Sequence, residues 1–336
     1  MPDDLIATLG RLKQTDEVWE GAARLERRWT TFKHGPPYRR SFVLLTDGQG
    51  SVLVNKLLDA PPTAEELWLV LAQTMRRPLP GAGQPRRPKS IYFDHAEQVQ
   101  DLTPRLAAVG VRCELHPHLP ALEKALRALE WMQNQGQTPL PGLLSIPGLT
   151  PPLLGHLYTT AAEFFELAPW RVLNDNHPIE IRCPLDAPSR YATIMGNGGE
   201  VFGLSVNDTL ADLRRMVTNN SERDLTNKMS WFVLFYEEAT AMAFDDLDAI
   251  AHYGWPVPGE DAYPVIGRTQ PGTQIGLPTR PDLLWLASAL PAICVYFKEH
   301  LRQRRGRVRP AELTLTVPVL GSPTEVYLRL PALGSK

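Results

Sequence analysis

The sequence predicts an α+β (or α/β) protein of two domains, each a mixed sheet with helices packed against it. Three observations predict this. The 336 residues exceed what one ordinary hydrophobic core accommodates. Short runs of β-branched and aromatic residues alternate with segments of helical periodicity along the whole chain. Between them, residues 137–152 hold Pro139, Pro141, Gly142, Pro147, Gly148, Pro151 and Pro152, and no periodic pattern survives there. That stretch is read as a linker between an α/β domain over 1–136 and an α+β domain over 153–331.

In the first domain, residues 3–29 are expected to form one or two helices, because Ile6, Leu9 and Leu12, then Val18, Ala22, Leu25 and Trp29, recur at helical spacing. Ser41–Thr46 and Ser51–Leu57 are β-rich, and Asp47-Gly48-Gln49-Gly50 between them signals a hairpin. Thr63 and Glu66 form a capping box that starts a helix running to about Arg76. A short strand at Ile91–Asp94 precedes a helix over 98–109 that stops at Gly110. A strand at Val111–Leu115 follows, then a helix whose apolar face is Leu122, Ala125, Leu126, Leu129 and Met132.

The second domain opens with a helix over 157–167, a strand at Ile179–Arg182 and a hairpin of Tyr191–Met195 with Val201–Val206. A helix follows from Asp208 or Thr209, then a polar loop over 219–227, a strand at 231–236, a helix over 245–252 and a strand at 263–267. A long helix is expected over Pro281–Arg302, and a hairpin of 313–319 with 325–330 closes the chain. Both halves then read hairpin, helix, strand, helix, strand, helix, which suggests an internal pseudo-repeat.

Composition narrows the function. With 35 Lys+Arg against 37 Asp+Glu the net charge is -2, so no general field draws the chain to nucleic acid or an anionic membrane. Cys113, Cys183 and Cys294 are far apart and form no Cys-x-x-Cys pair, which fits a reducing cytoplasm. The acidic start Met1-Pro2-Asp3-Asp4 does not resemble a signal peptide, and the apolar stretch 283–297 is shorter than a membrane span. A cytoplasmic protein without membrane contact is expected. No Walker loop, Gly-x-Ser-x-Gly elbow, His-Glu-x-x-His or zinc-ligand spacing occurs, and nothing calls for a cofactor or a bound metal.

Several clusters are candidate sites. Asp47 and Asp94 are the sharpest catalytic pair, since both would lie at one edge of a sheet; the alternative is a turn aspartate and a residue preceding a helix. Asp94 and His95 with Glu114, His116 and His118 carry metal-ligand chemistry without a helical i, i+4 spacing. Trp170, Asp175, His177, Tyr191 and Asn197 are a candidate binding surface, although Asn174–His177 and Gly196–Gly199 are also turn-forming sequences. The carboxylates Asp245, Asp246 and Asp248 suit the start of a helix. Arg302, Arg304, Arg305, Arg307 and Arg309 form the densest basic run, read either as a nucleic-acid patch or as a solvated helix end.

Two resemblances add to this. Ala161-Ala162-Glu163-Phe164-Phe165 with Pro169-Trp170, Ile194-Met195-Gly196 with Gly203-Leu204, and Trp255-Pro256 with Ala262-Tyr263-Pro264 resemble an uncharacterised family of bacterial proteins over roughly 155–304. The first domain is similar in element order to the ribonuclease H-like fold of integrases and transposases, where a hairpin and a helix precede a strand that ends in a catalytic aspartate. Phe93-Asp94 after Arg86-Arg87-Pro88-Lys89 stands at that place. The fold's other essential carboxylate lies in its first strand, yet Arg39–Leu45 contains none and Asp47 sits in the turn; a last-helix acid would be Glu123 or Glu130.

The reading is a non-catalytic binding or interaction module whose surface is expected in the groove between the domains, near Trp170, His177 and Tyr191, with an unknown protein or small molecule as partner and nucleic acid reached through the arginine run. The alternative is a ribonuclease H-like nucleic-acid enzyme, or its inactive descendant, using Asp47 and Asp94 with a divalent metal.

Overall fold

A computed structural model describes residues 2–31, 35–133, 140–218, 230–269, 275–305 and 307–332. The chain is α+β and divides into two compact units, Met1–Pro139 and Leu140–Lys336. The expected polar loop over 219–227 and residues 137–139 of the expected linker lie outside the described residues.

The first unit runs α1 (Pro2–Gly10), β1 (Val18–Leu25), β2 (Ser41–Asp47), β3 (Val52–Leu58), α2 (Ala64–Arg76), β4 (Ser90–Phe93), α3 (Ala96–Ala107), β5 (Arg112–Leu115) and α4 (Pro120–Gln133). Its sheet is mixed, in the order β3-β2-β1-β4-β5. β1 is antiparallel to β2 and parallel to β4, and β4 is parallel to β5. The Thr63–Glu66 box forms in full: the Glu66 amide donates to the Thr63 hydroxyl at 3.2 Å, and the Thr63 amide donates to the Glu66 carboxylate at 2.8 Å. The α1, α2 and α3 side of the sheet packs Leu9, Trp19, Leu71, Met75, Ile91, Phe93 and Leu106, and the α4 side packs Ala22, Leu44, Leu122 and Leu126.

One expected helix is half a strand. Only Pro2–Gly10 of residues 3–29 is helical, and Val18–Leu25 is the central strand of the first sheet. The reason is burial on both faces. Residues Trp19–Ala22 are all buried, which erases the period of two that marks a half-exposed strand and leaves an apolar spacing that imitates a helix. Gly21 marks the true state, because a Cβ there would meet Leu45 and Phe93 atoms at 2.9 Å.

The second unit runs α5 (Pro151–Leu167), β6 (Ile179–Arg182), β7 (Arg190–Met195), β8 (Gly203–Asn207), α6 (Leu210–Thr218), β9 (Phe232–Glu237), α7 (Phe244–Tyr253), β10 (Tyr263–Arg268) and α8 (Arg280–Val295). Then come a π turn over Tyr296–His300, β11 (Gln303–Arg304), β12 (Arg307–Val308), β13 (Ala311–Val319) and β14 (Ser322–Leu330). Seven strands form one sheet in the order β10-β9-β8-β7-β6-β14-β13. The helix α8 is buried nearly all round, as its Leu, Ala and Ile content requires, between α5 and the sheet. Among the described residues no helix is long and apolar enough to cross a membrane.

This sheet is antiparallel at every pairing rather than mixed. β9 and β10, joined through α7, pair antiparallel, so the chain re-enters the sheet at the end from which it left. The two units therefore share an element order without sharing a strand order. In the first, β4 and β5 join the far side of β1; in the second, β9 and β10 extend outward from the hairpin β7-β8.

Gly203 fixes how closely β8 and β9 approach. A Cβ on it would lie 2.1 Å from the Leu234 carbonyl oxygen and 2.8 Å from Phe235 Cα, at a φ of +155°. Backbone cannot yield as a side chain does, so Gly203→Ala is expected to destabilise the protein by about 3 kcal/mol. Urea unfolding followed by intrinsic fluorescence measures this, and an unchanged midpoint would refute it.

Candidate functional site: an apolar cavity with a buried carboxyl

The expected catalytic pair is not brought together. Asp47 ends β2 opposite Trp19, whereas Phe93, just before Asp94, lies opposite Gly21. Asp47 is thus level with the start of β1 and Asp94 with its middle, beside Ala22, with β1 between their strands. At about 3.3 Å per residue and about 4.8 Å per strand, their Cα atoms stand roughly 14 Å apart. Asp47 instead closes the hairpin turn, its Oδ1 accepting from the amides of Gln49 at 3.0 Å and Ser51 at 2.8 Å.

Asp94 has other partners. Its carboxylate is held by the guanidinium of Arg24 on β1 and by His95 Nδ1 at 2.6 Å. Burial pulls its pKa upward, but the His95 hydrogen bond and the Arg24 charge prevail, and it lies below the ordinary aspartate value. His95 is raised by the same hydrogen bond. The first strand does carry an acid, Glu20, in a segment whose apolar spacing imitates a helix. Glu20 accepts from the Leu122 amide at 2.8 Å and so caps the start of α4. His116 stacks on Tyr92 with ring centroids 3.8 Å apart, 3.7 Å from the Glu114 carboxylate. Among the described residues no three His, Cys, Asp or Glu side chains are grouped so as to hold a metal.

The expected binding surface is likewise dispersed. Trp170 is buried against Phe164, Phe165, Phe202 and Tyr236, at ring distances of 6.0, 5.5, 5.0 and 6.4 Å, and serves as a core anchor. Asp175 is exposed in a turn organised by Asn174, whose side-chain oxygen takes the Asn176 amide at 3.0 Å and lies 2.9 Å from His177 Nδ1. Burial lowers the His177 pKa. Tyr191 sits on β7 between Glu180 and Asn207, and Asn197 is exposed at the β7–β8 turn.

What the fold does build in the second unit is a cavity of about 660 Å³ beside β9 and β10. Its wall includes Leu143, Trp231, Phe235, Met242, Ile266 and Ile275, and its buried acid is Asp246 in the first turn of α7. The Leu143 amide donates to Asp246 Oδ1 at 2.7 Å. Burial, helped by the neighbouring Asp245 charge, raises the Asp246 pKa to about 6, and the Leu143 amide limits the rise. A sequence signal for the cavity does exist. Trp231, Val233 and Phe235 alternate with Phe232, Leu234 and Tyr236, so both faces of β9 are apolar although α5 and α8 cover only one.

Beside the cavity, a charge cluster locks β10 to α8. Arg268 donates in bidentate fashion to Asp282, Nε at 2.8 Å and Nη2 at 2.6 Å, and its Nη1 reaches Asp208 at 2.8 Å. Arg190 pairs with Asp208 at 3.2 Å and with Asp282 at 3.0 Å. Asp282 also closes the α8 capping box with Thr279.

Comparison with known proteins gives a match over part of the chain. Residues 155–312 match a family described as a Domain of unknown function (DUF7309). No curated protein matches the chain. Among solved structures, the chain is similar to the HTLV-2 integrase catalytic core domain in complex with magnesium, at 16% identity and a TM-score of 0.23, over 38% of this chain and 91% of that one. It is also similar to a chain of the simian T-cell lymphotropic virus intasome in complex with the PP2A regulatory subunit B56 gamma, at 13% identity and a TM-score of 0.22, over 56% of this chain and 74% of that one.

Proposed function

We propose that this chain is a non-catalytic binding module and that its second unit takes up an apolar small molecule in the cavity beside β10. The observation that carries this is the cavity itself. Its volume of about 660 Å³ falls within the roughly 300–1,000 Å³ of small-molecule sites. The wall is aromatic and aliphatic, and the Asp246 carboxyl is the charged group that lines it. A ligand with a cyclic apolar body and one hydrogen-bond donor matches that lining.

The test uses N-phenyl-1-naphthylamine, a neutral apolar amine that fluoresces when it leaves water. Saturable binding at one site is expected. Ala241, exposed at the cavity wall, can be enlarged without touching the core, and Ala241→Trp is expected to weaken binding at least tenfold. Non-saturating fluorescence, or equal affinity in A241W, would sink the proposal.

The second reading, a ribonuclease H-like nucleic-acid enzyme or its inactive descendant, rests on the element order of the first unit and on Asp94 at the end of β4. The Arg24 ion pair on Asp94 and the distance of Asp47 favour the inactive form.

A further inference from the structure

The arginine run was expected at a helix end, but α8 stops at Val295 and the π turn at His300. The chain then folds back on itself. Gln303 pairs with Val308 and Arg304 with Arg307, and the Arg309 amide donates to the Arg302 carbonyl at 2.8 Å. Opposed residues of an antiparallel pair point to the same face, and so do residues two apart on one strand. Arg302, Arg304, Arg307 and Arg309 therefore share one face of a small ribbon, with Gln303 and Val308 on the other. Arg305 stands at the tip with a left-handed φ of 53°.

All four side chains of that face are exposed, and among the described residues none lies within ion-pair distance of a carboxylate. Like charges set directly opposite each other destabilise a strand pair. Here two such pairs lie in succession, a cost to folding that a bound anion would remove. Guanidinium forks match phosphate oxygens two at a time. The face offers no apolar anchor of the kind protein interfaces depend on, and residues 301–310 contain no aromatic side chain on which an unpaired base could stack.

We propose that this arginine face grips the phosphate backbone of a nucleic-acid duplex. The contact is independent of the cavity, reads no sequence, and binds by displacing counterions from the phosphates it covers.

The experiment is fluorescence anisotropy of a labelled duplex of about 24 base pairs with the full chain over a salt series. Binding in the micromolar range at low salt is expected. Four phosphate contacts imply a slope of log K against log salt of about -3.6. Arg304→Ala with Arg307→Ala is expected to halve that slope and weaken binding at least tenfold. The matched charge removal Lys124→Ala with Arg127→Ala, on exposed positions of α4, is expected to change neither. Lys at 304 and 307 should retain the slope and recover part of the affinity.

Four results would overturn the proposal. They are no binding at about 100 μM protein at low salt, the lower end of non-specific affinity; an R304A/R307A double variant indistinguishable from wild type; a single strand bound more tightly than the duplex; or poly-glutamate competing as well as unlabelled duplex at equal charge.

Discussion

Asp282→Ala is expected to lower stability by about 3–5 kcal/mol, because it breaks a buried ion pair and leaves the other partner uncompensated. Asp282 is fully buried and receives both arms of Arg268, an Arg190 nitrogen, and the amide and hydroxyl of Thr279. Without it, two arginines face Asp208 alone, and α8 loses its capping box. Asp282→Asn keeps the capping acceptor but not the charge, so its loss should be smaller. Asp208 is more exposed than Asp282, and Asp208→Ala should cost about 1 kcal/mol, as screened pairs do. Urea unfolding followed by tryptophan fluorescence ranks the three variants, and a D282A midpoint equal to wild type would refute the assignment.

The same group sets an acid limit. Burial would raise the Asp282 carboxyl, but the Arg268 fork and Thr279 hold it down at about 2. A carboxyl whose folded pKa is depressed stabilises the fold above its unfolded value near 4, and that contribution disappears as pH falls from about 4 to about 2. The D282A variant should lose less stability than wild type over that interval.

Local chemistry was legible in the sequence where a few adjacent residues decide the outcome. Thr63 and Glu66 form their box, and Asp47-Gly48-Gln49-Gly50 turns the hairpin it announces. What failed depended on partners distant in the chain. β1 imitates a helix in the sequence because Trp19 and Ala22 are buried on opposite faces of a sheet assembled from segments up to Leu115. Nothing within the arginine run shows that Arg302 will pair with Arg309, so the sequence leaves it open between a nucleic-acid patch and a helix end. No single segment announces the cavity, since its wall draws on Leu143, Trp231, Met242, Ile266 and Ile275. Its acid, Asp246, looked like any carboxylate placed to suit a helix dipole.

Asp246 gives the second large effect, opposite in sign to that of Asp282. Its pKa is raised by burial to about 6, against about 4 in the unfolded chain. Between those values the folded state holds a proton that the unfolded state has released. Stability therefore falls as pH rises from about 4 through about 6, by as much as about 3 kcal/mol for two pKa units, and is flat with respect to this group above that. Asp246→Asn removes the ionisation while keeping an oxygen for the Leu143 amide. The variant should match wild type near pH 3.5, below the unfolded pKa, and exceed it at pH 8, so the difference between the two stability curves isolates this one group. A constant difference across that range would show that Asp246 ionises normally. The same pair of proteins reports on the cavity: if a ligand's donor meets the Asp246 carboxylate, its affinity for wild type rises with pH through about 6, whereas its affinity for D246N does not change.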